Sequence, residues 1–146
     1  MRNLALAATD RADEPEHKPN FNQDAAIVAA LKEVYAFIEF SLDGTIVNAN
    51  DHFLRAMGYR LADVLGRHHR IFMPPDEVDC AAYRAHWVRV GRGEVLSGRY
   101  RRVRKDGQRV RVAASYAPMR DANGILSGAF KIVVDMTEDY GVLRAL

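Results

Sequence analysis

A single cysteine, Cys80, occurs in 146 residues. That excludes an internal disulfide and fits a reducing compartment. No apolar run approaches the ~20 residues that cross a bilayer. Leu4-Ala5-Leu6-Ala7-Ala8 is too short for a signal-peptide core, and an acidic patch follows it. Charge of one sign is scarce as well: 21 basic and 19 acidic side chains leave +2 at pH 7. Such a balance does not by itself call for nucleic acid or an anionic membrane. Enzyme signatures are missing: there is no Gly-rich phosphate loop, Cys-x-x-Cys, His-Glu-x-x-His or Gly-x-Ser-x-Gly. These absences predict a cytoplasmic module that is not an enzyme, with no nucleic-acid partner and no direct membrane contact in this segment.

What is present is a core. About half of the residues are hydrophobic (49%), and the length fits one domain. Residues 1–21 carry many charges and few bulky apolar groups, which predicts a mobile tail. Asn22 is a candidate N-cap, and Ile27, Val28, Leu31, Val34 and Tyr35 recur at helical spacing. An amphipathic cap helix is therefore expected over 22–36. Its stripe must bury against the domain's own sheet or against the same helix of a second copy.

Ile38, Phe40 and Leu42 alternate with Glu39 and Ser41, and Asp43-Gly44 turns the chain into Thr45-Ile46-Val47-Asn48-Ala49. Asn50 can cap a short helix bearing Phe53, Leu54 and Met57, ended by Gly58. Leu61, Val64 and Leu65 make another turn of helix. Pro74-Pro75-Asp76-Glu77 reads as a helix start, with the helix running to about Val90. Its expected buried face is Val78, Ala81, Ala82, Ala85 and Val88. Three strands follow, about Leu96–Lys105, Arg109–Pro118 and Leu126–Met136, joined by turns at Asp106-Gly107 and Asp121-Ala122-Asn123-Gly124. Val110, Val112, Ala114 and Tyr116 should share one face of the second. Phe130, Ile132 and Val134 should point inward from the third. The fold class is α+β with an antiparallel sheet.

Taken in order, Asp43-Gly44-Thr45-Ile46-Val47-Asn48-Ala49-Asn50, Met57-Gly58-Tyr59, Gly93-Glu94, Lys105-Asp106-Gly107 and Asp135-Met136-Thr137 make residues 35–138 resemble a PAS domain. Gly66-Arg67-His68-His69-Arg70, Tyr83 with Trp87, and Ala114-Ser115-Tyr116-Ala117-Pro118 resemble the PAS repeats of methyl-accepting chemotaxis-type, aerotaxis-like transducers. The resemblance implies a five-stranded antiparallel sheet with helices on one face, a sensor domain over 37–138, and an output linker helix starting over 139–146. It implies sensing and relay to an output domain of the same chain, with Asp135 and Thr137 in the relay segment, and a homodimer through residues 22–36.

The candidate cofactor-binding residues are His68, His69, Phe72, Met73, Tyr83 and Trp87. A neutral imidazole can ligate haem iron or hydrogen-bond a flavin, and His69 is the candidate iron ligand. The structural alternative has one histidine capping a turn and the other facing water. Light-sensing PAS relatives carry a cysteine where His69 stands, so flavin adduct chemistry is not expected. Oxygen-sensing haem relatives use a helix histidine where Ala82 stands. Flavin-dinucleotide aerotaxis relatives share Trp87 and Ser97-Gly98, but Leu96 and Met73-Pro74 depart from their pattern. Haem, flavin dinucleotide and no cofactor each remain compatible with the residues. Arg99, Arg101, Arg102, Arg104, Lys105, Arg109 and Arg111 form a basic hairpin, read as a solvated sheet face that discourages edge pairing.

Overall fold

The computed structural model describes residues 21–139. Apart from Phe21 and Asp139, the expected tail (1–21) and output helix (139–146) lie outside the described residues. The chain divides into two units at Ala30 and Leu31. In the first, residues 22–30 are helical and exposed. They belong to helix α1 (Phe21–Val34), which has Asp24 in its first turn and Lys32 in its last.

The second unit holds the sheet. Strands β1 (Ala36–Phe40) and β2 (Ile46–Ala49) form the first hairpin. Helices α2 (Asp51–Met57) and α3 (Leu61–Val64) follow, then a 3-10 turn at His69–Phe72 and helix α4 (Ala81–Gly91). Strands β3 (Leu96–Val103), β4 (Arg109–Arg120) and β5 (Leu126–Glu138) close the domain. The sheet order is β2-β1-β5-β4-β3 and every pair is antiparallel. The two chain-terminal blocks therefore meet at the centre, where β1 pairs with β5.

The core lies on one face. Ile38, Phe40, Val110, Val112, Ala114 and Val133 from the sheet pack with Phe53, Leu54, Met57, Val64 and Phe72 from the helical side. Asn50 joins three segments. Its Oδ1 accepts from Phe37 N (2.9 Å) and Phe53 N (3.0 Å), and its Nδ2 donates to Lys32 O (3.0 Å) and Tyr35 O (2.8 Å).

Three local expectations are corrected. Helix α4 does not start at Pro74: residues 74–80 form turns, with Glu77 N donating to Pro74 O (2.9 Å) and Cys80 N to Glu77 O (3.2 Å). The helix starts after Cys80, whose Sγ accepts from Tyr83 N at 3.4 Å. Nor does its alanine face turn inward. Ala81, Ala82 and Ala85 are exposed and Val88 is 54% exposed, while Tyr83 and Val90 are buried and His86 and Trp87 half-buried. Tyr83, His86, Trp87 and Val90 also recur at helical spacing, and aromatic rings remove far more area from water than methyl groups.

On β5 the inward residues are Ala129, Lys131 and Val133, not Phe130, Ile132 and Val134. Pairing decides this. Lys131 sits opposite Ile38 on one side and Tyr116 on the other, both inward, so it must point the same way. Phe130 stacks on Phe37 across the other face, with ring centroids 5.1 Å apart. Ala113 pairs with Asp135 but Ala114 with Val133, which leaves Val134 as the extra residue of a β-bulge, 57% exposed.

Candidate functional site

The segment before the 3-10 turn is strapped to the first hairpin. Ile46 N donates to Arg67 O (2.8 Å), and His69 N donates to Gly44 O (2.9 Å). His68 completes the strap: its Nδ1 accepts from Arg70 N (3.0 Å), so its Nε2 carries the proton donated to Asp43 O (2.8 Å). Gly44 is required here twice. Its φ is +92°, and a Cβ would lie 2.6 Å from His68 Nε2. Beside it, hydrogen bonds from Ser41 Oγ and the Thr45 backbone hold the Asp43 carboxyl at about 2.

The strap turns His69 inward, to 0% exposure. Its Nδ1 meets Tyr83 Oη of α4 at 2.7 Å, and its Nε2 meets Tyr116 Oη of β4 at 3.2 Å. Tyr116 Oη also accepts from Arg102 Nη2 at 3.0 Å. Arginine can only donate. A neutral imidazole donates from one nitrogen and accepts at the other, so His69 joins the two tyrosine hydroxyls as donor to one and acceptor from the other. A polarised chain thus runs from sheet to helix. Burial pushes the His69 imidazole well below its ordinary range, with the charges of Arg102 and Lys131 adding to the effect. Burial also lowers His86 to about 4 and raises Tyr83 to about 12.

Around Tyr116 the charges are all of one sign. Arg102 is 4% exposed, and Lys131 is 1% exposed with Nζ 5.1 Å over the Tyr116 ring. Among the described residues no carboxylate pairs with either. Burial, then the charge of Arg102, takes Lys131 well below its ordinary range. The basic hairpin is thus not wholly solvated: Arg102 turns inward, while Arg101, Arg109 and Arg111 pair with acids at the surface.

Besides a cleft of about 490 Å³ against His86, Leu96 and Tyr100, two clefts open beside this cluster. One, of about 700 Å³, is lined by His68, Arg70, Tyr83 and Trp87 among others. The other, of about 320 Å³, lies between α4 and β3 against Met73, Tyr83, His86, Tyr100 and Arg102, with Glu77 at its wall. The expected site residues therefore separate. His68, Tyr83 and Trp87 line the first cleft, and Met73 and Tyr83 the second. His69 lies behind both, hydrogen-bonded at each nitrogen, and does not face the alternative's other partner, water. Phe72 is core, edge-on to Phe53 (5.3 Å) and Tyr59 (5.6 Å). Asp135 and Thr137 are exposed beyond the bulge, opposite Ala113 and Arg111.

Lys131 and Tyr100 have no part in the sequence reading, Arg102 enters it only as a solvated hairpin residue, and His86 only as a helix histidine one turn beyond the haem position at Ala82. The signals were there: Leu96, Gly98, Tyr100 and Arg102 alternate at strand spacing, and Lys131 interrupts an otherwise apolar run. Among the described residues no three His, Cys, Asp or Glu side chains are placed to hold a metal ion, and no helix is long and apolar enough to cross a membrane.

With this sheet order and helical face in hand, the sequence profile of the family described as PAS fold matches residues 33–141. The chain belongs to the PAS family. This PAS domain is 42% identical over 109 residues to the biofilm dispersion protein BdlA of Pseudomonas aeruginosa, which covers 75% of this chain and 26% of that protein. It is 33% identical over 98 residues to the aerotaxis receptor of Escherichia coli, 67% of this chain and 19% of the receptor. It thus spans a minor part of either relative. Among solved structures, a light-oxygen-voltage domain described with a flavin analogue superposes with a TM-score of 0.60 at 28% identity, covering 82% of this PAS domain and 88% of that chain.

Proposed function

We propose that this PAS domain is the sensory receiver of a bacterial chemotaxis- or aerotaxis-type signal transducer. It binds a small ligand or redox cofactor between α4 and the sheet and relays its state to an output domain of the same longer chain. The observation that carries the reading is the buried chain Arg102–Tyr116–His69–Tyr83, which ties the sheet to α4 beside an open cleft. A ligand that takes a hydrogen bond from any member changes how α4 is held. Such a ligand shifts the equilibrium between two arrangements only by its differential affinity for them. Strand β5 carries Lys131 at the cluster and Asp135 and Thr137 at its far end, which makes it the relay element. The light-oxygen-voltage relative and the aerotaxis receptor support a redox or flavin ligand, and the cytoplasm is the compartment that suits Cys80.

Met73 and Tyr83 are the expected residues that would touch a ligand in this cleft. Haem held through His68 or His69 fits poorly. His68 and His69 each have both nitrogens engaged, so iron at His69 Nε2 would have to displace Tyr116. In this reading His69 is a hydrogen-bond relay. The test is an absorption spectrum and mass spectrum of protein purified from a cofactor-replete host. A chromophore or small molecule at near-stoichiometric yield is the expected result. Colourless protein with nothing to extract sinks the loaded-receiver reading.

A second reading, dimerisation and relay without a cofactor, draws on α1. Ile27, Val28, Leu31 and Val34 are 50%, 44%, 38% and 66% exposed. A second copy of the same helix would bury that stripe across a two-fold axis. Protein beginning at Phe37 should then sediment as a monomer while the full chain sediments as a dimer. Equal masses remove this role.

A further inference from the structure

The buried cluster has a chemical bias that the receiver reading alone does not specify. Arg102 and Lys131 are almost wholly buried, sit on neighbouring faces of Tyr116, and have no acidic partner among the described residues. Arg102 contributes Nη1 to its neighbour's carbonyl (Arg101 O, 2.7 Å) and Nη2 to Tyr116, while its Nε has no partner at all. His86 Nε2, on the facing helix, is buried and unpartnered too. Both side chains line the 320 Å³ cleft. The acid at its wall, Glu77, is turned to Arg101 at 4.0 Å.

Burying a guanidinium without a counter-charge is unfavourable, and a buried donor without an acceptor adds to that. Arg101, Arg109 and Arg111 of the same hairpin pair with acids, so carboxylates are within reach of this sheet face. The missing component of the cluster is negative charge with acceptor oxygens.

We propose that the ligand received here carries an acidic group, a carboxylate or a phosphate, which Arg102 Nε and His86 Nε2 contact directly while Lys131 supplies the balancing field from behind Tyr116. The proposal rests on the receiver reading and names its ligand class. Tyr100, whose ring lies 5.0 Å from the Arg102 guanidinium carbon, lines the same cleft. The cleft volume is at the low end of small-molecule sites, roughly 300–1,000 Å³, and so suits a small organic acid. Signalling follows if the acid takes Arg102 Nε and Nη2 together in a bidentate contact: it then competes with Tyr116 for Nη2, and loss of that bond frees the chain to His69 and Tyr83.

The experiment measures thermal unfolding of the purified chain in acetate, succinate and inorganic phosphate, each against sodium chloride at equal ionic strength. Wild type is compared with Arg102→Met, Lys131→Met and the surface control Arg120→Gln. At least one acid should raise the melting temperature of wild type and of the control by several degrees. Lys131→Met should melt higher than wild type without acid, yet lose the acid-dependent rise. Arg102→Met should weaken the acid's apparent affinity at least tenfold. A rise on colourless protein assigns the acid to a free metabolite. A rise seen only with haemin or flavin dinucleotide, accompanied by an absorption band, assigns it to the acidic groups of a cofactor. Equal acid-dependent rises in wild type and both Met variants overturn the proposal. So does an uncharged molecule in the mass spectrum of the extract, a result that leaves the receiver reading standing. Absence of both an acid response and an extractable ligand overturns the two together.

Discussion

Asn50 shows how much one polar side chain can hold. It satisfies four backbone groups from α1, β1 and α2. Sequence spacing marked it as the cap of α2, and that bond is present; the other three came from segments 13 to 18 residues away. Asn50→Ala should cost about 2–4 kcal/mol: a lost cap is worth about 1, and the other three groups, only part-buried and so within reach of water, together add about 1–3. Urea unfolding monitored through Trp87 fluorescence measures it, and a cost under about 1 kcal/mol would mean that water replaces the side chain at all four contacts.

Histidine burial sets a pH response at the same scale. His86 is lowered from 6.5 to about 4, mainly by burial, with Arg102 of β3, Lys131 of β5 and Arg89 of its own helix adding like charge; burial takes His69 of the 3-10 turn well below its ordinary range too. Below pH 6.5 the unfolded chain takes up protons that the folded chain refuses. Stability from these groups is therefore complete above pH 6.5 and is lost as the pH falls toward 4. The depressed Lys131 acts in the same sense at higher pH, since the folded chain binds fewer protons there too. Melting temperatures should fall steadily from pH 6.5 to 4.5, and His86→Leu should flatten that slope. A wild-type profile that is level across this range contradicts the burial argument.

At the scale of elements, α4 is instructive. Pro74-Pro75-Asp76-Glu77 has the composition of a helix start, yet the chain spends those residues on turns and delays the helix to Ala81. The early start would carry the helix past the strap that positions His69. Cys80 does the capping instead, a role that a thiol performs weakly. Cys80→Ser should stabilise the fold by a few tenths of a kcal/mol or more, since serine ranks among the best N-caps. A destabilised Cys80→Ser protein would show that the thiol's packing outweighs its cap. Strand β5 makes the complementary point. Its apolar alternation is sound, but alternation alone does not say which face is inward, and the register with β1 and β4 reversed it.

At the scale of the whole molecule, the sheet order brings the first and last strands together, and the closest approach is at Gly128. Its φ is ordinary, yet a Cβ there would lie 2.7 Å from Phe40 O on the neighbouring strand. Gly128→Ala should therefore part β1 from β5 and lower the melting temperature markedly, by more than Gly124→Ala in the exposed β4–β5 turn, where a Cβ meets nothing within 4 Å and only the positive φ of +77° adds a cost of about 1 kcal/mol. Similar losses at both glycines would show that the central strand pair tolerates separation.

Composition, turn chemistry and residue period were enough to determine an α+β domain with two strands, short helices, a longer helix and three strands, and the ordered turn motifs were enough for the family. Those features are local: a Gly at positive φ or an alternating run acts within a few residues. The tertiary structure decided which histidine is buried, which face of α4 meets the sheet, and that Arg102 and Lys131 lie inside. Each of these depends on strand pairing between residues far apart in the chain, where the area buried by aromatic rings outweighs the cost of carrying a charge with them.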